Sequence, residues 1–449
     1  MKERFLALVN LKPEELRLAF SLWVLIAINT FVLELADVVA TAGFVSNLGV
    51  DRIPLLWVVT TLITIFAAGF YLVFIDRYPR LQLVTWLLTG LAILYLLLEF
   101  LFAFNAPSWL TYPSLYLLAD QQFMILPLAF WALAGDVFAV TESKRVFPFI
   151  ASGAVVGGLL GNGAAALVTY LAEKYTFGLT QIFIAIAIVL LGSALYLRII
   201  FNKVTVRARQ SREENAGLGE TIKIGMDYFM NIPVFKAVGI LMFLAGLILT
   251  FLEFNFLSVI DSSVTSDLGF QRFLGYYKAI QTSGLLIFQW LITSRVLSKI
   301  HLKESFSVFP VSLAIASGLA LYLPSLFGAA SARFIARTVY SAWDDPARKS
   351  LQGLVPDEKR GRISAFMDSY FITTATVLGC VILMTLFGFV SLGTISRETA
   401  VNIYLGIAIA ASILAVLAFV YLRKVYDTSM LNYRLARSKR KSILDGIEF

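Results

Sequence analysis

The chain has few of the side chains that build metal centres and catalytic sites. Its 449 residues include one cysteine, Cys380, and one histidine, His301. One cysteine excludes a disulfide framework, and one histidine argues against a His/Cys metal site or a protein with many histidine-ligated haems. The chain also lacks a phosphate-binding G-x4-G-K-[ST] loop and a G-x-S-x-G nucleophile elbow. We therefore expect neither enzymatic activity nor a cofactor or resident metal.

Charged residues are also scarce, because they make up 15% of the chain while hydrophobic residues make up 59%. The mean hydropathy of +0.81 lies far above that of a soluble domain. The formal net charge of +8 could indicate a nucleic-acid partner. Most basic residues, however, fall between long apolar runs, as in the cytoplasmic loops of membrane proteins. We expect the lipid bilayer, and not a nucleic acid, to be the partner.

Twelve apolar runs are long enough to cross a bilayer, which takes about 20 residues in a helix. The fold class expected is an all-α polytopic membrane protein with twelve transmembrane helices. The predicted spans are 18–46, 54–75, 81–104, 113–139, 147–171, 178–200, 233–260, 273–294, 305–323, 326–343, 363–389 and 399–422.

Basic loop residues predict the orientation. With the N-terminus in the cytoplasm, the opposite side carries only Arg52, Lys174, Arg272 and Arg397 in its loops. The other loops and the tail hold many more basic residues, which favours the cytoplasmic side. We therefore expect both termini in the cytoplasm and place the protein in a bacterial inner or plasma membrane.

The longest internal loop divides the spans into two sets of six. Asp76-Arg77-Tyr78-Pro79-Arg80, after the second span, is similar to the D-R-x-G-R turn of the major facilitator superfamily. Two six-helix halves are the architecture of that superfamily. The predicted segments are an N-terminal segment 1–17, a first half 18–200, a central loop 201–232, a second half 233–422 and a basic tail 423–449.

Two arginines lie inside the tenth predicted span. Arg333 and Arg337 are four residues apart and share one helix face, which Tyr340 extends by a further turn. An arginine at a helix centre costs about 3 kcal/mol in hydrocarbon. Such a face is tolerated where it looks into a bundle or a water-filled path, so we expect it to line the path of a solute.

Carboxylates occur inside other spans and must pair or face water. With the two arginines, Glu34, Asp37, Asp120 and Glu253 would cost on the order of 15–20 kcal/mol in lipid. Two interpretations stay open: structural ion pairs such as Glu34 or Glu253 with Arg337, or an anion site with a proton-coupling carboxylate, first of all Glu34. The predicted substrate-binding residues are Arg333, Arg337, Tyr340, Lys278 and Asn255. The predicted coupling or gating residues are Glu34, Asp37, Asp120, Glu253, Asp136, Lys144, Arg145 and Asp368.

Several of these residues have a simpler interpretation. Lys278, near the outer end of the eighth span, could extend its amine toward the headgroups. Asp136 and Asp368 are expected to pair with nearby basic loop residues, among them Lys144 and Arg145, as bridges of an inner gate. The glycines Gly153, Gly157 and Gly161, four residues apart, indicate close helix packing.

The basic tail also allows two interpretations. It contains interleaved apolar residues, which is typical of a helix lying on the anionic inner leaflet. Alternatively, it is an arm that docks a protein partner.

Three groups of residues together resemble the ATP/ADP translocase family of plastids and intracellular bacteria, which is near the major facilitators. Trp131 followed by Glu142-Ser-Lys144-Arg145-Val-Phe147-Pro148 is similar to that family's tryptophan and E-A-K-R-x-[FY]-P. Tyr340 to Asp345-Pro346-Ala-Arg348 looks like Y-x-x-x-D-P-x-K, and Phe251 to Phe256 is the third segment. The resemblance implies a twelve-helix carrier whose substrate is a nucleotide.

The chain departs from the family at two cationic positions. The stretch Glu34-Leu-Ala36-Asp37 lacks the lysine that precedes the aspartate in the family's nucleotide exchangers, and 369–376 lacks the lysines of span 11. Two hypotheses follow. The chain is a secondary carrier of a nucleotide or related small organic anion, or it has kept the carrier fold as a scaffold or accessory subunit of a larger membrane complex.

Overall fold

Every regular element in the described part of the chain is helical. The computed structural model describes residues 12–75, 78–138, 140–175, 181–201, 218–264, 266–296, 299–352, 363 and 366–444. The main helices are α1 (Leu16–Leu48), α2 (Ile53–Ile75), α3 (Arg80–Ala103), α4 (Ser108–Val137), α5 (Val140–Tyr175), α6 (Ile182–Phe201), α7 (Leu218–Asn231), α8 (Pro233–Ser263), α9 (Asp267–Phe288), α10 (Val308–Tyr322), α11 (Leu326–Val339), α12 (Asp345–Gln352), α13 (Ile372–Ser391) and α14 (Arg397–Leu444).

Nine segments among the described residues are long and apolar enough to cross a membrane. Helices α2, α9 and α11 occupy the other three predicted positions. The prediction of an all-α polytopic membrane protein is therefore confirmed, whereas the number twelve remains a prediction. The nine segments are Leu16–Leu48, Arg80–Ala103, Ser108–Val137, Arg145–Lys174, Ile182–Phe201, Pro233–Ser263, Leu302–Tyr322, Ile372–Ser391 and Arg397–Ser429.

Large apolar side chains are exposed along the outer faces of these helices. Ile199 is 74% exposed, and Ile188, Phe100 and Leu97 are also more than half exposed. A soluble monomer rarely exposes extended apolar patches, because water disfavours them. These side chains are the ones that face lipid in an integral, multi-pass membrane protein.

Contacts divide the chain into two compact units. The first unit comprises Met1–Arg212 and Ile260–Ser283, and the second comprises Glu213–Val259 and Gly284–Phe449. The end of α8 and most of α9 belong to the first unit. The boundary at the central loop remains a prediction.

In the first unit, a stripe of glycines brings α5 against α1. A Cβ on Gly157 would lie 2.1 Å from the carbonyl oxygen of Ala27, and one on Gly161 would lie 2.4 Å from that of Phe31. Neither contact is possible, so only glycine permits this approach. The interpretation of the glycines as a packing motif is confirmed.

The second unit contains three π turns, at Gln289–Thr293, Tyr340–Asp344 and Met367–Phe371. Each inserts one residue into the helical ladder, which leaves main-chain groups in need of other partners. No π turn occurs in the described residues of the first unit.

The π turn at Tyr340–Asp344 corrects the expectation, drawn from the Asp345-Pro346 pair, that the chain breaks into a polar turn after the tenth span. Instead, the chain stays helical, and Pro346 occupies the first turn of α12, where its missing N–H costs little. Proline cannot donate to the carbonyl four residues earlier, that of Ala342. The hydroxyl of Thr293 donates to that carbonyl oxygen at 2.7 Å.

The predicted central loop and tail contain helices. In the second unit, α7 packs so that Gly225 contacts the ring of Phe366. Helix α14 runs without a break through Leu444, so the tail continues the last span and does not begin a separate helix. Its base is held by two ion pairs to the short helix Leu302–Ser305, Arg423 with Glu304 at 3.0 Å and Lys303 with Asp427 at 2.7 Å.

Candidate functional site

The first unit holds a cluster of one lysine and two carboxylates. Glu34 and Asp37 are three residues apart on one face of α1, and Lys278 lies on α9. The amine of Lys278 donates to Oδ2 of Asp37 and lies 3.6 Å from Oε2 of Glu34. The three side chains are 16–33% exposed. Lys278 is therefore engaged by carboxylates and not extended toward lipid headgroups.

Glycine contacts position the two helices of this cluster on α5. The Cβ of a residue replacing Gly158 would lie 3.8 Å from Cγ of Glu34. On α9, a Cβ on Gly275 would lie 3.0 Å from the backbone nitrogen of Ala166. Because Gly275 precedes Lys278 by one turn, this close contact places the lysine on the part of α9 that reaches α1.

Polar side chains of α4 continue the first unit's interior. Asp120 accepts hydrogen bonds from Thr64 and Gln121, both at 3.3 Å. Beside it, the fully buried Gln122 donates to Asn29 at 2.9 Å and accepts from the hydroxyl of Tyr95 at 2.8 Å. These hydrogen bonds of the Gln122 amide link α1, α3 and α4. They also satisfy polar groups that would be costly to bury without a partner. Asp120 is thus held by neutral donors.

The second unit holds the opposite arrangement, in which two arginines share one carboxylate. Glu253 of α8 accepts from Nη2 of Arg333 on Oε1 and from Nε of Arg333 on Oε2, both at 2.8 Å. Arg337 donates to the same Oε2 through Nε at 3.3 Å and Nη2 at 3.2 Å. The predicted pair of Glu253 with Arg337 is confirmed, but it lies within one unit and is not a bridge between halves.

The two arginines differ in their exposure and in the strength of their contacts. The side chain of Arg333 is 8% exposed, and its guanidinium carbon lies 4.7 Å from the ring centre of the buried Phe256. A bidentate carboxylate and an aromatic face together fix this guanidinium. Arg337 is 41% exposed, and its longer hydrogen bonds go to an oxygen that Arg333 already occupies. Arg337 is therefore the more accessible arginine of the pair.

Two predicted substrate-binding residues, Asn255 and Tyr340, contact other protein side chains. The amide oxygen of Asn255 accepts from the hydroxyl of Tyr404 at 2.9 Å, and both residues are buried. This bond commits Asn255 to the packing of α8 against α14. The ring of Tyr340 packs on Phe309 and beneath the guanidinium of Arg348, beside a cavity of about 10 Å³ that is just large enough for one water molecule.

Two of the predicted gating residues form ion pairs with residues that were not predicted to be part of the site. Asp136 forms its ion pair with Arg80 at 2.8 Å, and Arg145 pairs with Glu15. Burial raises the pKa of Glu15, but the backbone N–H of Lys12 and the guanidinium of Arg145 outweigh it, so the pKa is lowered. The side chains of Lys144 and Asp368 lie outside the described residues.

Three residues that contact predicted site residues were not among the site residues predicted from the sequence: Phe256, Arg80 and Glu15. Phe256 follows Glu253 by three positions, so helical spacing could have placed it on the same face. Arg80 and Glu15 carried no such signal, because their partners are distant in sequence. Their pairing depends on which helices pack together.

The sequence matches no model of a known protein family and no curated protein sequence. Solved structures do match it. The nucleoside transporter NupG aligns at 13% identity and a TM-score of 0.64, with 90% of this chain and 99% of that chain covered. A bacterial homologue of the human lysosomal transporter Spinster, in an inward-facing and unoccupied conformation, aligns at 15% identity and 0.56, with 94% and 98% covered.

A third match is a POT family transporter in complex with 5-aminolevulinic acid. It aligns at 13% identity and a TM-score of 0.62, with 91% of this chain and 96% of that chain covered. Identities this low show the fold alone. The chain therefore has a major facilitator-like transporter fold over nearly its whole length, as the sequence predicts.

Proposed function

We propose that this protein is a secondary carrier that moves a nucleotide or a related organic anion across the membrane by alternating access. The observation that carries the proposal is the pair of arginines on a single carboxylate inside the second unit. Two guanidinium groups and the carboxylate of Glu253 sum to one positive charge, and Arg337 is the more exposed of the two arginines. Arginine suits phosphate and carboxylate because its planar fork donates two parallel hydrogen bonds.

The fold and the sequence motifs support the same proposal. The three solved structures described above are of transporters, among them one for nucleosides. The resemblance to ATP/ADP translocases, carried by residues such as Trp131 and Pro346, favours a substrate of the nucleotide class. The cluster of Lys278, Asp37 and Glu34 in the first unit is the proposed coupling site, because its two carboxylates share one cation.

Uptake into liposomes tests the proposal. Purified protein is reconstituted, and uptake of labelled nucleotides, sugar phosphates and dicarboxylates is compared between the wild type and Arg337→Gln. We expect the substitution to remove uptake while the thermal unfolding temperature stays unchanged, because Arg337 is half exposed. Arg423→Gln is the matched control, since Arg423 is an exposed arginine that also pairs with one glutamate. Wild-type uptake by Arg337→Gln would refute the site.

The extension of α14 favours a second candidate function, that of a scaffold in a membrane complex. This helix continues past its apolar part to Leu444 and is held at its base by Arg423 and Asp427. Truncation after Ser429 distinguishes the two functions. A carrier keeps its uptake, whereas a scaffold shows no uptake with any anion and loses a stoichiometric partner on truncation.

A further inference from the structure

The arrangement around Glu253 shows how much of the second unit's positive charge is open to a solute. Arg333 uses its Nε and Nη2 edge for both oxygens of Glu253, and Phe256 covers one face of its guanidinium. Only 8% of its side chain is exposed. Arg333 therefore acts as an anchor that holds Glu253 in place.

Arg337 keeps one edge of its guanidinium open. Its Nε and one N–H of Nη2 point to Oε2 of Glu253 at 3.3 and 3.2 Å. The other N–H groups, on Nη1 and Nη2, have no protein partner among the described residues. An Nη1/Nη2 edge offers two parallel donors, which match the two oxygens of one carboxylate or of one phosphoryl group.

The net charge of the cluster also limits how many anionic groups a bound solute can bring. Arg333, Arg337 and Glu253 together sum to one positive charge. In the first unit, Lys278 is already held by Asp37 and Glu34. A nucleoside di- or triphosphate carries several negative charges, and burying those without matching cations is costly.

We infer that the second unit's site recognises a single compact oxyanion, one carboxylate or one phosphate monoester, and does not select for a polyphosphate. This inference rests on the proposed function and narrows its substrate. It assigns Arg337 as the residue that contacts the anion, while Arg333 and Phe256 position it. The substrate class would then be a nucleoside monophosphate, a sugar phosphate or a monocarboxylate of similar size.

Binding to the purified full-length protein in detergent tests the inference with two matched series. The first is adenosine, AMP, ADP, ATP and adenosine 5′-carboxylate. The second is glucose, glucose 6-phosphate, glucose 1,6-bisphosphate and gluconate. We expect affinity to rise at least about tenfold from the neutral member to the member with one oxyanion, which corresponds to about 1.4 kcal/mol. A second or third phosphoryl group should change it less than about threefold.

The carboxylate and phosphate members of each series identify which oxyanion the site prefers. Arg337→Gln should abolish the gain from the oxyanion, Arg337→Lys should retain part of it, and Arg423→Gln should retain all of it. An increase of about tenfold with each added phosphoryl group, lost in Arg337→Gln, would overturn the single-oxyanion limit and leave the carrier intact. Absence of binding by every anion would overturn the proposed function itself.

Discussion

The two units hold charge clusters of opposite composition. In the first unit, one lysine serves two carboxylates, so Lys278, Asp37 and Glu34 sum to one negative charge. In the second, one carboxylate serves two arginines, so Glu253, Arg333 and Arg337 sum to one positive charge. In both clusters, one side chain of the minority sign is shared between two of the other sign. The net charges of the two clusters are therefore opposite in sign.

The clusters also differ in burial and in the helices that build them. The second cluster contains the almost fully buried Arg333, whereas Glu34 and Asp37 are 28% and 33% exposed. The first unit is built from helices without π turns in its described residues, held closely by glycines, while the second carries three π turns. Close, regular packing holds a cluster near its partners, and a π turn adds a local irregularity of the kind often found at functional sites.

The largest expected effect is a difference in stability between variants of Glu253 and Lys278, the side chain that is shared in each cluster. Glu253→Gln should lower the free energy of unfolding by about 3–5 kcal/mol, because it leaves the buried Arg333 without its carboxylate. Lys278→Gln should cost roughly 1–2 kcal/mol, since water reaches Glu34 and Asp37 and reduces the penalty. Thermal unfolding of both variants in one detergent shows which variant loses more stability. A greater loss of stability in Lys278→Gln than in Glu253→Gln would contradict the expected difference between the two clusters.

The next effect concerns the close packing of the first unit. Gly157→Ala should destabilise the protein by about 1–3 kcal/mol, because the added Cβ would lie 2.1 Å from the carbonyl oxygen of Ala27. Gly163→Ala in the same helix is the control, since nothing lies within 4 Å of its Cβ. Unfolding of both variants is followed by near-UV circular dichroism. Equal stability of the two would show that α5 is not held against α1 by its glycines.

A smaller loss of stability is expected when the hydrogen bond at one π turn of the second unit is removed. Thr293→Val removes the hydroxyl that donates to the carbonyl of Ala342, at a cost of about 1 kcal/mol. Thr385→Val is matched, because Thr385 is exposed and donates only to its own helix, at Val381. Thermal unfolding should therefore shift for Thr293→Val and stay unchanged for Thr385→Val. Identical shifts would mean that the Ala342 carbonyl gains nothing from Thr293.

The smallest effect is a pH dependence at the start of α1. The folded-state pKa of Glu15 is lowered from its ordinary value of 4.5, so its contribution to stability is complete above that pH. It is lost as the pH falls through the lowered pKa. The difference in unfolding temperature between wild type and Glu15→Gln should therefore be constant near neutral pH and shrink below about pH 4.5. The neighbouring exposed Glu14→Gln should show no such difference, and a constant difference down to pH 3 would contradict the assignment.

Helices and their apolar character followed directly from the sequence. Runs of apolar residues predicted the positions of α1, α8 and α14, because hydropathy is a local property. The spacing of Gly153, Gly157 and Gly161 predicted close packing but not that α1 was the partner. The pair of Glu253 and Arg337 was among the expected alternatives, because few charges occur inside the spans.

Other features required the folded chain. Proline at 346 predicted a turn, and only the contact of Thr293 with Ala342 shows how a helix accommodates it. Asp136 was expected to pair with nearby basic loop residues, and the structure shows an ion pair with Arg80, which is 56 positions away. Ion pairs between helices depend on packing distances that no local pattern contains.

The sequence by itself determined that this is a helical membrane protein with charges inside its spans, because the cost of a side chain in lipid depends on that side chain alone. It also determined that those charges need partners. Only the tertiary structure decided that Lys278 meets Asp37 and that Arg333 and Arg337 share Glu253. It also decided which arginine is open, because exposure depends on neighbours such as Phe256 that packing brings to the site.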